Sequence, residues 1–175
     1  MKKLLTIVLF LFLTGIVYSQ QMSVGAGGSV VLPMGNLSNA SSLGLGGTVQ
    51  FEYQMNPVVL TAESGYLNFL EKSGNGFSAG IIPIIAGAKY PFGGGLYAQA
   101  QTGLHMISQS AKIPEIRIGG TLIRPAQTIT SSSTEFGFHA GAGYEMGDLD
   151  FVAKFSSYAS GWSSVNLNVR YKFGL

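Results

Sequence analysis

The sequence predicts an all-β chain: eight antiparallel strands, joined up and down, that close into a barrel spanning a membrane. Three observations predict it. The chain is oily, with 46% hydrophobic and only 10% charged residues, yet nothing after residue 19 resembles the roughly 20-residue apolar run a membrane helix needs. Apolar and polar residues alternate with period two in eight segments, the pattern of strands with one oily and one polar face. The last segment, Val165-Asn166-Leu167-Asn168-Val169-Arg170-Tyr171-Lys172-Phe173, is followed only by Gly174 and Leu175. Its edge N–H and C=O groups need a partner, and the first strand of the exported chain supplies one by closing the sheet.

The chain opens with Lys2 and Lys3 before an apolar run from Leu4 to Ile16, then Val17-Tyr18-Ser19. A charged start, an apolar stretch of about a dozen residues and modest residues before the cut read as a secretory signal. The expected organisation is a signal peptide over residues 1–19 and one barrel domain over 20–175. No cysteine occurs, which excludes a disulfide framework and attachment through a lipidated cysteine. Without Lys2 and Lys3 the ten basic residues become eight, equal to the eight acidic ones. That balance argues against a nucleic-acid partner, which needs a basic face.

The strands follow in order. Residues 22–32 set Val24, Ala26, Val30 and Leu32 against glycine and serine, and a turn-rich stretch over 33–42 follows. Residues 43–53 set Leu45, Val49 and Phe51 against Thr48, Gln50 and Glu52, and Met55-Asn56-Pro57 turns the chain. Residues 58–69 place Thr61, Glu63 and Gly65 between Leu60, Ala62 and Tyr66, with both faces apolar at the far end. After a loop over 71–78, residues 82–92 form a strand in which Pro83 removes one ladder donor. A glycine turn at Gly93-Gly94 leads into residues 96–106, the cleanest alternation of all. A long segment, 109–133, precedes strands over 135–145 and 149–156, which Gly147-Asp148 joins. Strands of about 10 residues suit a tilted transmembrane barrel. Short connections alternate with longer ones at 33–42, 71–78, 109–133 and 157–161, so the short turns belong at the periplasmic end with both termini.

Period two alone does not say which face looks outward; composition does. The polar set is Gly, Ser, Thr, Gln and Asn with occasional charges. A soluble surface carries about 25–35% charged residues, so this set makes a poor exterior and a good lumen. Aromatics gather at both strand ends. Tyr53, Tyr90, Phe92, Tyr144, Phe151, Tyr171 and Phe173 lie near the short turns; Tyr66, Phe69, Phe136, Tyr158 and Trp162 lie near the longer loops. Two girdles flanking an apolar band mark an outer-membrane barrel.

Strand parity sends Glu52, Glu63, Lys89, Glu145, Asp150, Lys154, Arg170 and Lys172 inward, with Glu135 joining them near the loops. Single charges in so narrow a barrel are costly unless paired, so an interior ion-pair plug is expected, with Lys154 and Arg170 neutralised among Glu63, Glu145 and Asp150. His105 and His139 also face inward on neighbouring strands. A metal or acid–base pair with Glu135 or Ser108 is conceivable, but no His-x-x-x-His spacing supports it. Polar filling of the lumen is the expected role, with no catalytic residue, metal or cofactor. Within 109–133, Glu115 to Pro125 reads as a hairpin turning at Gly119-Gly120. Lys112, Arg117 and Arg124 against Glu115 make it mildly positive, a candidate surface for a partner strand or anionic sugars.

The Tyr18-Ser19-Gln20 signal end, the Ile82-Pro83-Ile84-Ile85-Ala86-Gly87-Ala88-Lys89-Tyr90 strand and the Val169-Arg170-Tyr171-Lys172-Phe173 ending resemble the small, porin-like outer-membrane β-barrels of Gram-negative bacteria, OmpA/OmpX-type in fold. The resemblance implies that Val169, Tyr171 and Phe173 act as the signal read by the barrel-assembly machinery, although Leu175, on the same face, is the last residue. It implies outer-membrane lipid and lipopolysaccharide as surroundings. A monomeric, non-enzymatic barrel with a structural or surface-interaction (adhesion-type) role is the expected function. The alternatives are a lipid-modifying outer-membrane enzyme, a narrow porin-like channel and a secreted soluble ligand-binding barrel. The enzyme reading lacks its machinery, since Phe138-His139-Ala140-Gly141 faces inward with no serine two residues on.

Overall fold

A computed structural model describes residues 22–72, 76–119, 121–159 and 161–174; the expected signal peptide, 1–19, lies outside them. The period-two segments are strands β1 (Met22–Gly35), β2 (Ser41–Met55), β3 (Val58–Glu71), β4 (Phe77–Gly93) and β5 (Leu96–Ile113). A short hairpin, β6 (Ile116–Ile118) and β7 (Thr121–Arg124), precedes β8 (Gln127–Met146), β9 (Leu149–Ala159) and β10 (Trp162–Gly174). The eight long strands form one closed antiparallel barrel. The closing seam pairs β1 with β10 from Ser23↔Gly174 to Gly35↔Trp162, so the last strand finds its partner in the first.

The inner turns are tight. Gly93, Gly94 and Gly95 have φ of +95°, +63° and +85°, three successive left-handed residues that only glycine adopts at low cost. The outer end departs from expectation. β1 continues to Gly35 and a single helical turn, Leu37–Ala40, replaces most of the expected 33–42 loop. Most of the expected 157–161 loop is strand, because β9 runs to Ala159 and β10 starts at Trp162. β4 begins at Phe77 rather than 82. Pro83 has its expected effect: the β3–β4 ladder skips from Ser64↔Ile84 to Leu67↔Ile81, and the missing rungs lie beside the proline.

Exposed apolar side chains circle the exterior. Val30, Val49, Leu60, Ile84, Leu104, Phe138 and Leu167, on different strands, all lie open. Water does not tolerate a continuous apolar belt of this kind, and lipid does. The inner aromatic girdle forms as expected, with Tyr90, Phe92, Tyr144, Tyr171 and Phe173 outward. The outer girdle is thinner. Tyr66 and Phe136 point out, but Phe69 and Tyr158 turn inward and are fully buried. Because the sheet is closed, unboiled protein extracted in detergent is expected to migrate differently from boiled protein on a gel. Identical migration of a properly extracted sample would contradict closure.

Candidate functional site

The lumen is filled in three tiers. The innermost, near the tight turns, holds a continuous ion-pair network. Lys89 Nζ sits among three carboxylates: it contacts Glu52, Glu145 at 3.1 Å and Asp150 at 3.1 Å. Arg170 bridges Asp150 at 2.8 Å and Glu63 at 3.0 Å, and Gln50 accepts a further hydrogen bond from it at 2.5 Å. Lys154 reaches Glu63 at 2.5 Å, while Lys172 joins Glu52 at 2.9 Å and Glu145 at 3.0 Å. Four carboxylates thus meet four cations, and the network is neutral.

Strand register and small residues make this possible. Arg170 stands directly opposite Asp150 across β9 and β10. Tyr97 donates to Asp150 at 2.5 Å and carries Lys89 4.3 Å above its ring. Room for that ring comes from Gly143, where a Cβ would meet Tyr97 Cζ and Oη at 2.3 Å. Glu52, Glu145 and Asp150 bring carboxylate oxygens within 4.8 Å of one another, a spacing that suits a metal, but Lys89 already occupies the cation position among them. Glu135 lies apart: it is half-buried at the outer end, opposite His105 in register, and joins none of these ion pairs.

The middle tier is a polar relay. Asn166 Nδ2 donates to Ser156 Oγ at 2.9 Å, and Ser156 Oγ hydrogen-bonds His139 Nδ1 at 2.5 Å. The far ring nitrogen of His139, Nε2, shares a hydrogen bond with His105 Nε2 at 2.8 Å. Tyr158 and Ser164 close the group on Asn166 Oδ1 at 3.1 and 2.5 Å. Ser108, weighed with these histidines from sequence, instead lies on the outward face of β5, where it is exposed. Ser156 and His105 are fully buried, so the relay is a packed layer.

The outer tier is apolar. Val31, Leu37, Leu67, Phe69, Ala79, Ile81, Ile107 and Tyr158 form one buried cluster, with Phe77 and Trp162 packed against it. Leu37, on the helical turn, lids it. Sequence alternation missed this cap, apart from the hint that both faces of β3 become apolar at its far end. Ion pairs, relay and cap together leave a lumen that is a core.

At the outer end β5 and β8 run on as a two-stranded ridge. They stay paired up to Ile113↔Gln127, with the β6–β7 hairpin beyond. Lys112 is exposed on β5, Arg124 is half-buried on β7, and Arg117 stands opposite Leu122 across the hairpin. β9 pairs with β8 only from Phe138↔Ser157 inward. Among the described residues, 127–136 of β8 consequently pair with β5 on one side and with no strand on the other, whereas Gly137 lies against the Ser157 carbonyl of β9.

No family model matches the chain, and no curated protein matches it in sequence. Solved structures do. Ail, the attachment invasion locus protein of Yersinia pestis, aligns over 87% of this chain and 98% of its own, at a TM-score of 0.60 and 13% identity. Neisserial surface protein A aligns over 90% and 98%, at 0.54 and 16%. The fold is that of the small eight-stranded outer-membrane barrels. A de novo designed transmembrane barrel also aligns, over 86% and 95% at a TM-score of 0.51 and 14% identity. The fold therefore comes without a fixed role. Ail has also been solved with the heparin analogue sucrose octasulfate.

Proposed function

We propose that this chain is an outer-membrane barrel that acts by surface interaction through the β5–β8 ridge, exported by the signal peptide at 1–19. The observation that carries the reading is the open edge of β8 over residues 127–136 among the described residues. Natural sheets blunt exposed edges with charge, proline or cover. Here residues 127–134 are Gln, Thr, Ile and Ser without a charge or proline, a strand-favouring stretch held rigid by β5. Such an edge accepts a partner strand through main-chain hydrogen bonds. A second reading, anionic sugars bound by Lys112, Arg117 and Arg124, draws support from the heparin analogue found with Ail. The terminal Val169, Tyr171 and Phe173 face lipid and serve as the assembly signal in this reading.

The test uses cells displaying the chain, their binding to immobilised matrix proteins and to heparin, and two variants. Thr128→Lys with Thr130→Lys charges the edge and is expected to abolish protein binding. Lys112→Ala with Arg124→Ala is expected to weaken heparin binding only. No binding to any surface above cells lacking the barrel would overturn the interaction role and leave a structural one. The orientation is checked separately. Protease added to intact cells is expected to cut between residues 114 and 126, and cutting at Asn56-Pro57 would invert the barrel.

A further inference from the structure

A groove of about 350 Å³ lies on the outside of the barrel wall, across β3, β4, β5 and β8. Its two rows differ in chemistry. Tyr66, Ile82, Met106 and Thr134 line the lower row, with Ile82↔Met106 and Met106↔Thr134 directly paired. Gly80, Ser108 and Ser132 line the upper row, again cross-strand neighbours. Directly below runs the apolar row Ile84, Leu104 and Phe136, the top of the lipid-facing belt. Directly above, Ser78, Ser110 and Thr130 continue the hydroxyl surface, with Ser110 and Thr130 3.1 Å apart. The groove thus straddles the boundary between hydrocarbon and headgroup.

Gly80 creates the depression. A Cβ there would meet Tyr66 Oη at 2.7 Å, so the absent side chain lets the tyrosine lean over and form one wall. The missing β3–β4 rungs beside Pro83 fall at the same place. No acidic or basic side chain lines the groove. Phosphate recognition needs cationic partners, which this site does not offer. Hydroxyls that both donate and accept, over an aliphatic floor, match a sugar with a chain attached.

We propose that this groove binds an outer-leaflet glycolipid, its uncharged sugar on the Gly80, Ser108 and Ser132 row and the start of its acyl chain on Ile82 and Met106. Continuity with the lipid belt is what fixes the occupant as a membrane lipid. The assignment rests on the outer-membrane reading but not on the ridge's binding role.

The experiment places the folded protein in nanodiscs of phosphatidylcholine with a tenth of monogalactosyl diacylglycerol, about equal in chain length, and reads retained lipid by native mass spectrometry. The wild type is expected to retain the galactolipid in preference. Ser108→Ala with Ser132→Ala and Thr134→Val is expected to reduce that preference about tenfold or more, since two or three net hydrogen bonds are lost together. Gly80→Leu, which fills the groove instead of stripping its hydroxyls, is expected to do the same. The gel shift of unboiled protein shows that each variant is folded. Equal retention of both lipids, a preference for phosphatidylcholine, a second protein copy on this face, or a preference untouched by both folded variants would overturn the proposal. Failure to enter the bilayer at all would overturn the membrane reading, and the groove with it.

Discussion

Glu63→Gln is expected to be among the most damaging single substitutions in the chain, and adding Lys154→Met to it is expected to restore stability. Glu63 holds Lys154 at 2.5 Å and Arg170 at 3.0 Å, with all three side chains at most 2% exposed. Among the described residues Lys154 has no other ion-pair partner. Arg170 keeps Asp150 and Gln50. Removing Glu63 strands Lys154 in the lumen, and an uncompensated buried charge costs about 3–5 kcal/mol. Lys154→Met alone is milder, because Glu63 keeps Arg170. The double variant removes the stranded charge, so a coupling on the order of 2 kcal/mol is expected between the two sites. Urea midpoints of protein folded in detergent or lipid measure it. Additive losses would contradict a shared network and favour a hydrated lumen that screens each charge separately.

Gly143→Ala is the second large effect. The added methyl would overlap the Tyr97 ring at 2.3 Å and approach the Phe151 carbonyl oxygen at 2.7 Å. The ring must move, and the Tyr97 hydrogen bond to buried Asp150 goes with it. Overpacking of this kind costs about 1–3 kcal/mol, and a lost hydrogen bond to a charged group adds about 1.5–3 kcal/mol. Tyr97→Ala in the Gly143→Ala background is expected to recover part of the loss, whereas Tyr97→Phe, which keeps the ring, is not. Equal destabilisation by both double variants would show that the ring is not what the methyl strikes.

Strand parity was the legible part. Glu52, Lys89, Asp150 and Arg170 alternate with residues that only lipid would accept, so inward and outward separate on inspection, and the terminal strand demanded closure on the first. The outer end was not legible, for a physical reason. Where the lumen is apolar, as at Leu67, Phe69, Ile81 and Ile107, both faces of a strand tend to be apolar and period two fades. This is also why Phe69 and Tyr158 read as girdle residues and why β4 reads as starting five residues late. On the ridge the opposite happens. Residues 127–134 are exposed on both faces and nearly all polar, so a rigid Ser/Thr strand looks like a loop. The groove at Gly80 left no sequence signal, because it is built from cross-strand neighbours on β3, β4, β5 and β8 whose register no single strand's alternation gives.

The lumen of the described residues is packed as a core, and the proposed binding surfaces lie on the exterior and the ridge. Conductance of the folded protein in a planar lipid bilayer tests that claim most directly. With the ion-pair network, the His105–His139 relay and the Phe69–Tyr158 cap stacked along one axis, the expected trace is the bare-membrane baseline without discrete steps. Stable, reproducible steps from protein of verified fold would contradict a filled lumen and make the barrel a channel.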